Sequence, residues 1–241
     1  MDKTLHFWYT SSMTSKTDQP EPTAHVLEGA KHVPVLRADA ERNRQRIVEA
    51  ARAIFAQRGL NVPLEEIAHR AQVGIATLYR RFPTREDLIA ACFEAKMAGY
   101  AAAVEVALQA PDGWSGFCSF IEQVCAMQAA DLGLQDVLTL TFPNAPVLEE
   151  LRERAYRGFA EVVRRAQAEG TLRADFVTQD LLLLLLANAG VINGTRDAAP
   201  AAWKRFVALV LQACRAERAT ALRPPPTHAE MYQAMNRLDR T

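Results

Sequence analysis

Ala76, Thr77, Arg80 and Arg81 fall within six residues of this 241-residue chain and combine two small side chains with two guanidinium groups. An arginine presents five N–H donors in a planar fork that matches guanine O6 and N7, or two phosphate oxygens, in bidentate fashion. A major groove about 12 Å wide accepts one helix, provided that its outward face carries donors and small side chains instead of apolar bulk. The chemistry these residues offer is therefore recognition of an anionic, hydrogen-bonding duplex. Catalysis has no comparable cluster: His6, His25, His32, His69 and His228 are scattered outside the stretch expected to hold a pocket, and no nucleophile elbow, phosphate loop or metal-ligand spacing occurs. Cys92, Cys118, Cys125 and Cys214 lack the close pairing of a zinc or redox site, so no metal or cofactor is expected and the thiols read as reduced core residues.

The elements that must position those donors are legible on either side. Ile47, Ala50, Ala51, Ile54 and Phe55 repeat at helical spacing before Gly59, which predicts a helix from about Asp39 to Arg58. Pro63 suits a first helical position, and Leu64, Ile67 and Ala68 place one apolar stripe on a short second helix ending near Ala71. After a turn through Gln72, Val73 and Gly74, Leu78 and Phe82 point inward from a third helix that Pro83 stops. A supporting helix, a tight turn and a projecting helix make a helix-turn-helix, with Leu64, Ile67, Ala68, Val73, Leu78 and Phe82 as its core. Thr84 can cap a fourth helix, with Asp87 near its positive end, running to about Leu108.

Beyond Pro111, Asp112 and Gly113 every substantial segment again has helical periodicity, so the fold class is all-α. Leu148, Leu151, Ala155, Phe159, Val162 and Ala166 stripe one amphipathic helix, and Trp203, Phe206, Val207, Val210, Leu211 and Cys214 another. Between them Leu181 to Leu186 is apolar around its whole circumference and needs cover from its own domain or from a second subunit. The expected organisation is an N-terminal extension over 1–36, a helix-turn-helix domain over 37–88, a larger helical domain over 89–216, and a tail over 217–241 to which no role is given.

Lysine plus arginine and aspartate plus glutamate both total 28, so no whole-chain field selects a partner. From Arg37 to Asp87, however, ten basic residues face seven acidic ones, and this local excess of three favours an anionic partner. The longest apolar stretch, Leu181 to Ala187, is far short of the ~20 residues that span a bilayer, and the N-terminus has no signal-like apolar region. A cytoplasmic protein without membrane partner is expected. Residues 1–36 lack apolar periodicity and are expected to be mostly disordered, with Met13 an alternative start to Met1.

The segment EEIAHRAQVGIATLYRRFPTREDLIAACF, from Glu65 to Phe93, resembles helices two to four of TetR-type regulators. RIVEAARAIFAQRGL, from Arg46 to Leu60, is similar to that family's opening helix. The resemblance implies phosphate contacts for Thr77, Tyr79 and Arg85, and base reading for Ala76, Arg80 and Ile75. It places Arg81 where the family often has histidine, and leaves Arg44 and Arg46 as candidates for backbone contacts from the first helix. Packing of Tyr79 on the core, and a merely solvated Arg80, Arg81 and Arg85, are the bland alternatives. The sequence departs from the family at Gln72, where a turn glycine is usual, at Ala76, where glycine is frequent, and at Pro63, where threonine often contacts phosphate. A positive φ at Gln72 would be disfavoured for a non-glycine residue.

The same resemblance implies a homodimeric repressor that binds a double-stranded, palindromic operator and is released by a small-molecule effector inside the helical domain. Trp114, Phe117, Phe120, Cys125, Met127, Phe142, Phe159 and Asn188 are the candidate pocket residues, although aromatic and Met side chains at helical spacing also make plain core. The competing reading is a helical architectural or protein-interaction module without ligand, which the lack of an internal cavity would favour.

Overall fold

The structure is a computed structural model that describes residues 32–238. Most of the expected extension over 1–36 lies outside the described residues. The residues from Asp39 onward form one compact unit. Among the described residues the chain is all-α, with ten α-helices and one isolated bridge between Leu172 and Arg215.

Helix α1 (His32–Arg58) buries Ile47, Val48, Ala51, Ile54 and Phe55 on one side. It starts seven residues before the sequence-based boundary and stops where Gly59 takes a φ of 75° and donates its N–H to the Phe55 carbonyl at 2.9 Å. Helix α2 (Leu64–Arg70) begins one residue after Pro63, which holds the extended N-cap position instead of the first helical one. Helix α3 (Ile75–Arg81) follows a turn in which Gln72 adopts a φ of 53°. Gln72 thus takes the positive φ that a non-glycine residue disfavours.

Helix α4 (Arg85–Leu108) runs unbroken across the expected boundary at 88/89. Thr84 and Asp87 close a full capping box at its start, where Glu86 and Asp87 also meet the positive end of the helix dipole. At its other end Arg165 donates to the carbonyls of Leu108 and Ala110, both at 3.0 Å, and of Pro111 at 3.1 Å. The capping box satisfies a donor of the first turn and Arg165 the last carbonyl, so α4 is held at both ends.

Around it lie α5 (Gly113–Ala130), α6 (Leu132–Thr139), α7 (Pro146–Ala168), α8 (Gln179–Thr195), α9 (Ala202–Ala213) and α10 (His228–Leu238). Helices α4, α5 and α7 pack on one another around Phe117, Phe120 and Phe159. Phe120 stacks on Phe159 at 4.8 Å and Phe117 meets Phe176 edge-on at 5.2 Å. Full burial of such rings contributes about 1.5–3 kcal/mol each, and each favourable pair geometry about 0.5–1.5 kcal/mol more. Helix α8 is not covered all round: Leu181, Leu184 and Leu185 are buried while Leu183 is exposed, as is Leu209 on α9.

The loop from Gly59 to Pro63 joins these parts. The Leu60 N–H donates to Asp136 of α6 at 2.7 Å, and a Cβ at Gly59 would sit 2.6 Å from the same carboxylate. Burial raises the Asp136 carboxyl pKa, the Leu60 N–H lowers it, and the neighbouring Asp131 charge raises it again, leaving it above its ordinary value. A carboxyl whose folded-state pKa is raised gives stability that is whole below the unfolded value and is lost as pH climbs through the folded one. Asp136→Asn keeps an acceptor for Leu60 without the buried charge. Thermal melts should therefore show the variant more stable than wild type at pH 8, with the difference vanishing below about pH 4. A difference that stays constant with pH would contradict the assignment.

Candidate nucleic-acid interface and helical-domain cavity

Helix α3 is only seven residues long, so its orientation depends on its surroundings rather than on its own propensity. Leu78 is fully buried and Phe82 nearly so, which anchors one face, with Leu64, Ile67 and Ala68 of α2 beneath them and Val73 half-buried at the turn. The opposite face presents Ala76, Tyr79 and Arg80 to solvent, with Ile75 and Thr77 half-exposed beside them. Tyr79 is 46% exposed and does not pack on the core. The Arg80 guanidinium reaches only the Thr77 hydroxyl, at 3.4 Å, and so keeps free donors.

The other arginines divide differently from the sequence-based expectation. Arg46 donates to the carbonyls of Ala71 and, at 2.8 Å, of Gln72, clamping the turn that holds the positive φ. Arg85 donates to the carbonyls of Leu60 and Val62, both at 2.9 Å. Its guanidinium is committed to the loop before α2. Arg44 lies over the Phe82 ring at 5.5 Å. Arg81 is half-buried, and its Nε has no partner among the described residues. Reading these residues as outward-facing cations overlooked that carbonyls at helix ends also need donors.

In the helical domain a cavity of about 190 Å³ opens between α4, α6, α7, α8 and α10. Leu138, Leu181, Leu182 and Leu185 make its apolar wall, Met231, Tyr232 and Met235 of α10 close one side, and Tyr100 of α4 closes another. None of the eight residues expected to line a pocket does so. Phe117, Phe120 and Phe159 belong to the ring core, Phe142 and Cys125 are buried in it, and Met127 packs at its edge. Trp114 stacks on Phe117 at 5.8 Å and carries the Arg215 guanidinium at 4.5 Å. Asn188 is fully buried and donates to Gln128 Oε1 at 2.9 Å, with Cys125 O at 3.4 Å, so it ties α8 to α5.

The tail supplies what the sequence reading missed. His228, placed outside the pocket domain by sequence, lines the cavity and meets Tyr156 edge-on at 5.8 Å. Met231 and Met235, both buried, are four apart and share a helix face, a signal present in the sequence but passed over. The cysteines behave as core: burial pushes Cys92, Cys118 and Cys125 up to about 12 and Cys214 to about 11. Among the described residues no helix is long and apolar enough to cross a membrane.

If Arg46 is a clamp and not a phosphate contact, Arg46→Ala should lower stability by about 1 kcal/mol and weaken binding to duplex DNA. The slope of log affinity against log salt should stay unchanged, whereas loss of a phosphate contact would reduce it by about 0.9. A reduced slope at unaltered melting temperature would reverse the assignment.

Comparison with known proteins agrees with this geometry. The family described as "Bacterial regulatory proteins, tetR family" matches residues 47–92, and that described as "Transcriptional regulator SbtR-like, C-terminal domain" matches residues 112–236. An HTH-type transcriptional regulator of Staphylococcus aureus is 43% identical over 54 residues, which is 22% of this chain and 29% of that one, so the chain spans less than a third of the curated relatives it matches. A TetR transcription regulatory protein from Mycobacterium vanbaalenii is 30% identical over 75% of this chain and 99% of that one, with a TM-score of 0.44. The regulator FadR of Bacillus subtilis, solved with stearoyl-CoA, shares the fold at a TM-score of 0.53 and 17% identity, over 69% and 96% of the two chains. The α2–turn–α3 reader and the helical domain behind it, each matched over its own stretch, make this chain a member of the TetR family of transcriptional regulators.

Proposed function

We propose that the chain is a homodimeric repressor, acting in the cytoplasm, that reads a palindromic operator with α3 and is released when a small molecule enters the cavity. The observation that carries this reading is α4. One unbroken helix puts Arg85, which holds the loop before the reader, and Tyr100, which lines the cavity, fifteen residues apart. At 1.5 Å per residue that is about 22 Å of rod. A ligand that displaces the Tyr100 end tilts the Arg85 end and carries α2 and α3 with it. Two readers must fit successive major grooves about 34 Å apart, so a small tilt costs contacts in both half-sites. Such coupling is worth about 5- to 150-fold in affinity and is reciprocal. The cavity also favours this reading over a ligand-free architectural module. Catalysis is no part of it.

In this scheme Arg80 reads a guanine, Ile75 and Ala76 meet thymine methyls, and Thr77 and Tyr79 donate to phosphate. Arg81 and Arg44 support from the flanks. Arg46 and Arg85 are positioning residues, which replaces the phosphate role the sequence suggested for Arg85. The exposed Leu183 and Leu209, with half-buried Trp203 and Phe206, offer the apolar faces of α8 and α9 to a second copy.

Selection of bound sequences from random duplex DNA should return an inverted repeat, and Arg80→Ala should relax one base position at a cost of about 1–3 kcal/mol against the preferred site. Unstructured sequence preference from that selection would sink the operator reading. Leu209→Glu should shift sedimentation toward monomer and lower operator affinity, while melting remains cooperative. A variant that stays dimeric would move the seam elsewhere.

A further inference from the structure

The cavity wall is unevenly polar. Its charged groups lie mostly in pairs: Arg152 donates to the carbonyls of Val137 at 2.8 Å and Leu140 at 2.6 Å and stands 3.3 Å from Glu149, although its buried Nε makes no hydrogen bond among the described residues. Glu149 also accepts the Phe142 N–H at 2.8 Å, and Glu153 faces Arg157 at 3.8 Å. A charged ligand that drew Arg152 or Glu149 away from its partners would leave a part-buried ion uncompensated, whereas the Glu153–Arg157 pair is exposed. Among the neutral groups, Tyr156 shares a hydrogen bond with Thr178 at 2.6 Å, and Thr141 is bonded to Asn236 of α10.

Tyr100 is different. It is 95% buried, its relative exposure being 5%, and its hydroxyl has no hydrogen-bond partner among the described residues. Burial pushes its pKa up to about 12, with Arg152 opposing, so the phenol stays protonated and is available as a donor. The Tyr100 hydroxyl is open to the cavity rather than sealed in the core, so a ligand acceptor placed against it gains a hydrogen bond beside a largely apolar wall. The space is small: a cavity of roughly 150 Å³ accommodates benzene, and drug-sized ligands use about 300 Å³ or more. At about 190 Å³ this one suits a single ring with a short substituent.

Resting on the reading of this cavity as the effector site, we propose that the effector is a neutral, ring-sized carbonyl compound whose oxygen accepts the Tyr100 hydroxyl while its apolar body lies against Leu138, Leu181 and Met235. The hydroxyl sets the class and the leucine and methionine wall sets the shape. Because Tyr100 stands on α4, the group that recognises the ligand is also the end of the rod it would displace.

Four probes of nearly equal size separate the possibilities in the full-length protein: acetophenone, ethylbenzene, benzoate and benzylamine, each titrated by calorimetry and thermal shift. Acetophenone should bind wild type about tenfold more tightly than ethylbenzene, as expected for one buried hydrogen bond, and more tightly than either charged probe. Tyr100→Phe should reduce acetophenone to the ethylbenzene level and leave ethylbenzene unchanged. Equal binding of acetophenone and ethylbenzene by wild type, preference for benzoate or benzylamine, or an unchanged ratio in Tyr100→Phe would overturn the carbonyl inference. Leu182→Trp, which fills the cavity, keeps the two levels apart. If it abolishes binding of whichever probe binds, the effector reading stands even when the carbonyl inference falls. If no probe binds wild type at millimolar concentration, or if binding is indifferent to Leu182→Trp, the effector reading fails and takes this inference with it.

Discussion

Everything downstream of α1 depends on how the loop between Gly59 and Pro63 is held. Five residues without secondary structure of their own would leave α2 and α3 free to swing, and each of those helices is only seven residues long. The loop is pinned instead through two residues. Leu60 gives its N–H to Asp136 of α6 and its carbonyl to Arg85 of α4, and Val62 gives its carbonyl to the same guanidinium. Three charge-assisted bonds, shielded in part from water, thus fasten the reader to two helices of the larger domain. Glycine at 59 is required for that, because its φ is positive and a side chain there would occupy the space of the Asp136 carboxylate.

The pinning has a consequence for stiffness. Arg152 holds the carbonyls at the end of α6, the helix that carries Asp136, and Arg165 holds those at the end of α4. The same device, an arginine from α7 closing the C-terminus of a neighbour, is therefore used twice. Because α7 packs along α4 and its aromatic side lies in the ring core, α4, α6 and α7 are locked together by satisfied backbone groups as well as by apolar area. Separating any of these helices would strand a polar group.

The fold was largely legible in the sequence. Apolar periodicity placed α2, α3 and α4 nearly to the residue, since Pro83 and the Thr84–Asp87 cap are local signals with local causes. Gln72 was marked as a position where the resembled family usually has a turn glycine, and it does adopt a positive φ. What escaped was the use of long side chains across the fold. Nothing within a few residues of Arg46 or Arg85 reveals that a carbonyl 25 positions away will claim its guanidinium. The cavity escaped for the opposite reason. Aromatic residues are the obvious candidates for a pocket, yet their area makes them the first to pack, and Phe117, Phe120 and Phe159 fill the centre that a ligand would need.

The space is left where packing is least able to close it. Helix α8 brings a run of leucines that cannot all turn inward, and α10 is joined to the body after Pro224, Pro225 and Pro226, which form no helix. Its attachment rests on buried Met231 and Met235, the Thr141–Asn236 bond and the contact of His228 with Tyr156. Methionine is the side chain best suited to such a wall, because three rotatable bonds let it adapt to whatever shares the space. The cavity therefore combines one rigid side, Tyr100 on a helix pinned at both ends, with one compliant side on α10. A molecule entering there would meet compliant methionines on the α10 side, whereas Tyr100 stands on the same unbroken helix as Arg85.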